Sequence, residues 1–416
     1  MTKKPPETVV VIGAGIVGMS TAIWLRRAGK KVIVVDKGEP GMGTSYGNGG
    51  ILAACGVAPV TAPGLGMKGP RLLLDPNFPL FLRWSYLPKL APWLLRYLSH
   101  ANVKDTRRIS KGLIPIVADS VEQHKSLIKG TSAEGWITDA DYCFAYKDRA
   151  AFEDDEFTFG LRREAGFVPE LIEGDAVREY EPHLGKTISL LAVMKDHGFV
   201  RAPGLYVQAL AEVLKAEGGT IRKAEVLDVD LADGKITAVI TNQGSIPCES
   251  AVLATGVWSK PLAKKLGLKV PLESERGYHI VFKDPSFTLR SAYMIATGKF
   301  VATPMEGGLR CAGVVEFGGL NAGPSKAPLN LLRKQVLLNF PTLEYSEAEE
   351  WLGHRPAPTD SLPLIGEIAG TGVYAGFGHH HIGLTGGPKT GRLISDLIAQ
   401  KGTNIDLSAY DPGRFN

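Results

Sequence analysis

Three glycines and an aspartate carry the first chemical signal of the chain. Gly13, Gly15 and Gly18 follow the apolar, β-branched run Val9-Val10-Val11-Ile12, and Asp36 closes a second such run, Val32 to Val35. A pyrophosphate needs backbone N–H groups it can approach closely. Gly13 permits a tight turn, Gly15 removes the side chain that would hold phosphate away, and Gly18 lets the next helix pack against the strand. Ile16 and Val17 open that helix, whose unpaired N–H groups and positive dipole end point at the phosphates. Asp36 lies near the roughly 20-residue offset at which a carboxylate meets an adenosine ribose. The elements that must position these residues come in the required order: strand Val9 to Ile12, helix Ile16 to Ala28 ended by Gly29, strand Val32 to Val35. This is the pattern of a dinucleotide-binding βαβ unit.

The remaining composition excludes several function classes. The 416 residues carry 47 basic and 43 acidic side chains, net +4, with no basic run of the kind that binds nucleic acid. The length allows two or three domains. Cys55, Cys143, Cys248 and Cys311 are scattered without a CxxC pair, so neither a disulfide framework nor a zinc site is expected, and a reducing, cytoplasmic compartment is the simpler reading. Lys3 and Lys4 before an apolar run imitate a signal peptide, but cleavage would remove the fingerprint itself. Phe78 to Leu98 is the most apolar-aromatic stretch, and Arg83, Lys89, Arg96, Pro88 and Pro92 forbid a comfortable membrane span. It reads as a helix pair buried against a substrate domain. The alternative is a segment resting on the inner face of a membrane through Trp84, Tyr86, Trp93 and Tyr97.

Loops rich in Pro and Gly run from Ala58 to Pro70, followed by mostly helical chain: Ile109 to Lys129, Asp154 to Ala165, and Gly204 to Glu217 ended by Gly218-Gly219. Short strands then come in series, Thr220 to Glu225, Val226 to Leu231, Ile236 to Thr241 and Ser245 to Pro247, leading into the apolar strand Ser250 to Gly256. Tyr278 to Phe282, Lys299 to Thr303 and Gly308 to Glu316 extend an antiparallel sheet. A helix follows at Leu329 to Asn339, a strand at Gly372 to Gly376, and a last helix from about Pro388 to Ala399. Nucleotide-type elements at the start, middle and end imply an α/β, two-domain (α+β) chain. A Rossmann-like domain would be assembled from residues 1–75, 195–270 and 345–416, with a discontinuous second domain on an antiparallel sheet from 76–194 and 271–344.

Further Gly-rich loops distinguish the cofactor. Gly43-Thr44-Ser45-Tyr46-Gly47-Asn48-Gly49-Gly50 offers a second set of backbone donors. Ala254-Thr255-Gly256-Val257-Trp258 follows the strand series, and Gly376-Phe377-Gly378-His379-His380-His381-Ile382-Gly383 with Thr385-Gly386-Gly387 precedes the last helix. The N-terminus of that helix would stabilise negative charge on a reduced ring system. With Glu275-Arg276-Gly277-Tyr278-His279-Ile280-Val281, Gly353-His354-Arg355-Pro356 and Asp360-Ser361-Leu362-Pro363-Leu364-Ile365-Gly366, these loops make nearly the whole chain resemble the FAD-dependent amino-acid oxidoreductases of the D-amino-acid oxidase superfamily. The nearest likeness is to bacterial D-amino-acid dehydrogenases and the glyphosate oxidoreductase branch.

The resemblance implies non-covalent FAD and oxidation of a Cα–N bond by hydride transfer to flavin. The substrate would be a D-amino acid or a related secondary amine, with electrons passed to a quinone or other acceptor, or to oxygen in the oxidases; the reading of a different class is an FAD-carrying subunit of a heteromeric amine dehydrogenase complex, with Phe78 to Leu98 as its protein interface. It implies cofactor contacts at Gly13, Gly15, Ile16, Val17, Gly18, Asp36, Lys37, Thr44, Ser45, Asn48, Gly49, Gly50, Val226, Thr255, Gly256, Trp258, Gly378, His379, His380, Ile382 and Gly383. Arg355 matches the family's carboxylate-binding arginine, and a planar guanidinium is the group that clamps a carboxylate bidentately. Strand alternation directs only one of Tyr278 and His279 to the substrate. Tyr278 is expected there, with a satisfied core tyrosine as the competing reading. His379, His380 and His381 resemble a metal tract, but three adjacent residues do not easily converge on one ion. No metal is expected, and His381 is placed with the catalytic groups beside the flavin. A small residue is usual in related chains where this one has His380.

Overall fold

A computed structural model describes residues 6–65, 75 and 77–416. The loop expected at Ala58 to Pro70 lies partly outside the described residues. Six strands form one sheet in the order Leu364–Glu367, Val373–Phe377, Ser250–Leu253, Thr8–Ile12, Lys31–Asp36, Thr220–Lys223. All neighbours are parallel except the first pair. Val9, Val10 and Val11 are fully buried because both faces of a parallel sheet are covered. The fingerprint therefore sits at the carboxyl end of a central strand, where α/β sheets bind ligands. A small antiparallel sheet, Val226–Ala232, Lys235–Thr241 and Gly244–Pro247, is connected to it in sequence.

The second large sheet has ten strands. Its main path runs Ala348–Pro358, Leu272–Phe282, Gly308–Phe317, Phe300–Met305, Ala292–Ile295, Ile137–Tyr146, Leu190–Val200, Ile51–Leu52. It is mixed rather than purely antiparallel: Ala292–Ile295 lies parallel to Ile137–Tyr146, and Leu80–Leu82 parallel to Gly308–Phe317. Leu190–Val200 and Ala348–Pro358 were not legible as strands. Leu190 to Met194 is continuously buried, a run that periodicity cannot tell from helix.

Helix Ile16–Arg27 packs on the last helix, Gly383–Ile398, through small residues. A Cβ at Gly391 would stand 2.5 Å from the Thr21 nitrogen, so only glycine allows this approach. The last helix begins at Gly383, ahead of the expected Pro388. Pro388 has no N–H for the carbonyl of Leu384, which would otherwise be orphaned; His124 Nε2 takes it at 2.9 Å. Ile109 to Lys129 is two helices, Val103–Val117 and Ser120–Ile128. Phe78 to Leu98 holds one long helix, Leu87–Ser99, instead of a pair. It buries Leu90, Trp93 and Tyr97 while Trp84 and Leu95 stay exposed. All four cysteines are free and buried.

Candidate active site

A cavity of about 980 Å³ runs between the six-stranded and ten-stranded sheets. One end is the dinucleotide cradle. Gly13 has φ +109°, and a Cβ there would lie 2.6 Å from the Ala254 carbonyl oxygen. A Cβ on Gly18 would meet the Gly13 oxygen at 1.9 Å, the close helix–strand contact expected of it. At Gly15 a Cβ would meet only the Ser45 hydroxyl, at 3.3 Å, and at Gly43 nothing within 4 Å. The space over these backbones is what a pyrophosphate requires. Ser45 Oγ accepts from the Ile16 N–H at 3.0 Å, tying the second Gly-rich loop to the helix start. Asp36 accepts from the Ala14 and Gly38 N–H groups at 2.7 and 2.8 Å, which holds its carboxylate at the mouth. Lys37, Val226, Thr255, Gly256 and Trp258 line the same end, with Lys37 Nζ 5.5 Å from the Trp258 ring centre.

The loop at 43–50 is fixed by Arg310 and Trp351, which the sequence did not single out, and by His279, the neighbour that strand alternation set against Tyr278. Arg310, on the strand Gly308–Phe317, donates through Nη1 to the carbonyls of Tyr46 (2.7 Å) and Asn48 (2.9 Å). Trp351 lies where a Cβ at Gly47 or Gly353 would fall, 1.7 and 1.9 Å from its ring, and stacks on His279. His279 is held against the Gly47 carbonyl, and burial with the nearby Arg310 charge pushes it down to about 3.

At the other end Arg355 faces Glu275 across the register of two antiparallel strands. Its Nη1 donates to Glu275 Oε1 at 2.8 Å, while Nε and Nη2 make no hydrogen bond among the described residues. The guanidinium lies across Gly277, where a Cβ would be 2.5 Å from Cζ. His380 Nε2 donates to Glu275 Oε2 at 2.8 Å, and His381 Nε2 stands 2.7 Å from Oε1. Burial raises the Glu275 carboxyl, but the charges and hydrogen bonds of His381 and His380 prevail and hold it well below the usual range. Two of the three adjacent histidines thus do converge, on a carboxylate. The three side chains could gather round a cation, since their ligand atoms lie within 4.8 Å of one another. The Arg355 guanidinium already supplies positive charge to that oxygen, which opposes a metal ion there.

His379 turns away, its Nε2 2.9 Å from the Thr390 hydroxyl, and burial pushes it down to about 4. Thr44, Asn48, Gly49, His379, His380, His381, Ile382 and Gly383 all line the cavity; Gly18, Gly50 and Gly378 do not. Tyr278 borders it but does not offer its hydroxyl. That group donates to Glu316 Oε2 at 2.7 Å and accepts from the Ser325 N–H at 3.0 Å, inside the core. Strand alternation sends Glu275 and Gly277 to the site and Arg276 and Tyr278 behind it, so Tyr278 is the satisfied core tyrosine. From behind, helix Leu87–Ser99 props the Arg355 strand: Trp93 Nε1 donates to the Ala357 carbonyl at 2.9 Å, and Tyr97 meets His380 edge-on.

The sequence profile of the DAO family, FAD dependent oxidoreductase, matches residues 8–397. With the cradle and cavity above, the chain belongs to this family and binds FAD. It is 37% identical over 418 residues to a D-amino-acid oxidase of Bradyrhizobium diazoefficiens, covering 98% of each chain. It is 28% identical over 401 residues to a D-amino acid dehydrogenase of Helicobacter pylori, covering 96% of each. The glycine oxidase structure from Geobacillus kaustophilus shares the fold with a TM-score of 0.73 at 20% identity, covering 98% of this chain and 99% of that one.

Proposed function

We propose that this protein is a D-amino-acid dehydrogenase, oxidising the Cα–N bond of a D-amino acid or a related secondary amine. The observation that carries the reading is Arg355, whose Nε and Nη2 make no hydrogen bond among the described residues, lining a cavity continuous with the dinucleotide cradle. A planar edge with two donors matches a carboxylate, and fixing that carboxylate restricts the pose of the attached Cα. Gly13, Gly15, Ile16, Val17 and Asp36 would hold the adenosine diphosphate part of FAD, with Thr44 to Gly50 and His379 to Gly383 along the flavin. Bound FAD supplies the hydride acceptor. His381 shares the substrate end of the cavity.

The domain division drawn from the sequence belongs to this proposal. Three adjustments are needed: Ile51–Leu52, the end of Leu190–Val200, and Ala348–Pro358 pair into the ten-stranded sheet, the last bringing Arg355 from the substrate side. A quinone or similar acceptor would reoxidise the flavin. A peripheral membrane contact would use the exposed Trp84 and Leu95 beside Lys89 and Arg96; among the described residues no helix is long and apolar enough to cross a membrane. The test is an anaerobic titration of the FAD-loaded protein with paired D- and L-amino acids, N-substituted glycines and cyclic imino acids. Bleaching by D-amino acids or secondary amines supports the proposal, and a flavin that only L-amino acids bleach refutes it. Rapid hydrogen peroxide formation in air, with no acceleration by a quinone, would make the protein an oxidase instead.

A further inference from the structure

Glu275 is 3% exposed and receives three nitrogen groups from three directions: Arg355 on the neighbouring strand, and His380 and His381 on the loop before the last helix. Tyr97, on helix Leu87–Ser99, also faces this group; burial and the Glu275 charge keep its hydroxyl well above the ordinary range. His380 has φ +48°, a left-handed conformation uncommon for a non-glycine residue. The site retains this unfavourable backbone together with a buried histidine–carboxylate contact, and such outliers cluster where geometry serves function.

The Glu275 contact decides which nitrogen of a neutral His381 carries the hydrogen. A carboxylate oxygen 2.7 Å from Nε2 requires hydrogen on that nitrogen, since two lone pairs would repel. The lone pair of the neutral ring is then on Nδ1, for which no partner exists among the described residues. The side chain keeps 36% exposure and borders the cavity that Arg355 enters. A carboxylate held by Arg355 carries its amino group one carbon away, and Arg355 and this ring line the same cavity.

We propose that His381 accepts the proton of the substrate's ammonium group, and that Glu275, held by His380, is the positioning residue that makes it able to do so. This rests on the amine-oxidation reading above. The N–H bond of the ammonium breaks and its proton joins Nδ1, while nitrogen keeps the electron pair. Bound flavin would accept the hydride from Cα with its two electrons, and the nitrogen pair would close the C=N bond, giving the iminium. Glu275 stabilises the imidazolium by charge, as carboxylates behind catalytic histidines do. Burial, with the like charges of His380 and Arg355, lowers His381 against the opposing pull of Glu275, which favours the neutral ring.

The experiment compares the FAD-loaded wild type with Glu275→Gln and His381→Asn. Flavin reduction by the best substrate is followed anaerobically from pH 6 to 10. Binding of cyclopentanecarboxylate, which has no nitrogen, reports Arg355 alone. In Glu275→Gln we expect that probe's Kd to change less than tenfold, while reduction at pH 7 falls at least a hundredfold and recovers toward wild type near pH 10, where the amine is already neutral. A second readout needs no turnover. With ring-labelled histidine, 2-aminoisobutyrate (which lacks a Cα hydrogen) should move the His381 carbon resonance into the imidazolium range, and cyclopentanecarboxylate should not. The shift should be absent in Glu275→Gln, with the assignment made from His381→Asn. A wild-type pH profile in Glu275→Gln, a loss of rate unrescued at high pH, or the same resonance shift with both ligands overturns the proposal. A wild-type flavin that no amine reduces would instead strike the amine-oxidation reading itself.

Discussion

Gly277→Ala tests the Arg355 assignment without touching Arg355. The new Cβ would lie 2.5 Å from Cζ, 2.6 Å from Nη2 and 2.8 Å from Nη1. Favourable carbon contacts lie at about 3.5–4.0 Å, so the guanidinium must retreat by about 1 Å. The obstacle is the end of a flexible side chain, so the strand itself need not move. A 1 Å retreat spoils both parallel hydrogen bonds to a carboxylate, because N–H···O contacts fade beyond about 3.2 Å. Hydrogen bonds to charged groups are worth about 1.5–3 kcal/mol, and 1.4 kcal/mol is about a factor of ten in binding. Substrate and cyclopentanecarboxylate should therefore bind about 10- to 100-fold more weakly. FAD content should be unchanged, and stability should not fall, since alanine in a strand interior is favoured over glycine by about 0.5–1 kcal/mol. The assays are anaerobic flavin titration, FAD stoichiometry and urea unfolding. A variant with wild-type affinity for both ligands would refute the placement of the substrate carboxylate on Arg355.

Three other outcomes follow from the same geometry. Gly18→Ala puts a methyl 1.9 Å from the Gly13 carbonyl oxygen, a backbone atom that cannot swing aside; we expect FAD-free or unfolded protein, seen as loss of flavin absorbance after purification. Arg310→Met keeps most of the buried volume but releases the carbonyls of Tyr46 and Asn48. FAD should dissociate at least tenfold more readily, measured by fluorescence on dilution, with the substrate-carboxylate probe less affected. His124 is fully buried between Tyr206 and Leu384, and burial pushes it down to about 4. Below the ordinary value near 6.5 the unfolded chain takes a proton that the folded chain refuses. Stability due to this residue is therefore present above pH 6.5 and lost as pH falls toward 4, by up to about 1.4 kcal/mol per pH unit. His124→Phe should reduce that dependence and cost about 1–3 kcal/mol at pH 7 by orphaning the Leu384 carbonyl, both read from urea unfolding at several pH values.

The sequence by itself determined the nucleotide half of this protein. Strand, glycine turn, helix, second strand and acid occupy one continuous stretch, and each is specified by its neighbours: β-branched residues for the strand, glycines where a Cβ cannot fit, and Gly29 at the helix end. Arg355 could be singled out as a carboxylate clamp for its own chemistry and the motif around it. What the sequence could not determine is what surrounds Arg355. Glu275 stands opposite it only because two strands 80 positions apart pair antiparallel at that register, and a shift of one residue would turn Glu275 and Gly277 away and bring Arg276 and Tyr278 in. Local alternation allowed either choice for Tyr278. The tertiary structure decided it by giving the hydroxyl Glu316 and Ser325 in the core. Likewise the adjacent histidines read as one tract, yet the left-handed turn at His380 sends two rings to Glu275 and leaves His379 with Thr390. Backbone-limited features were written locally; the electrostatic partners of the site were set by long-range register, which no local pattern encodes.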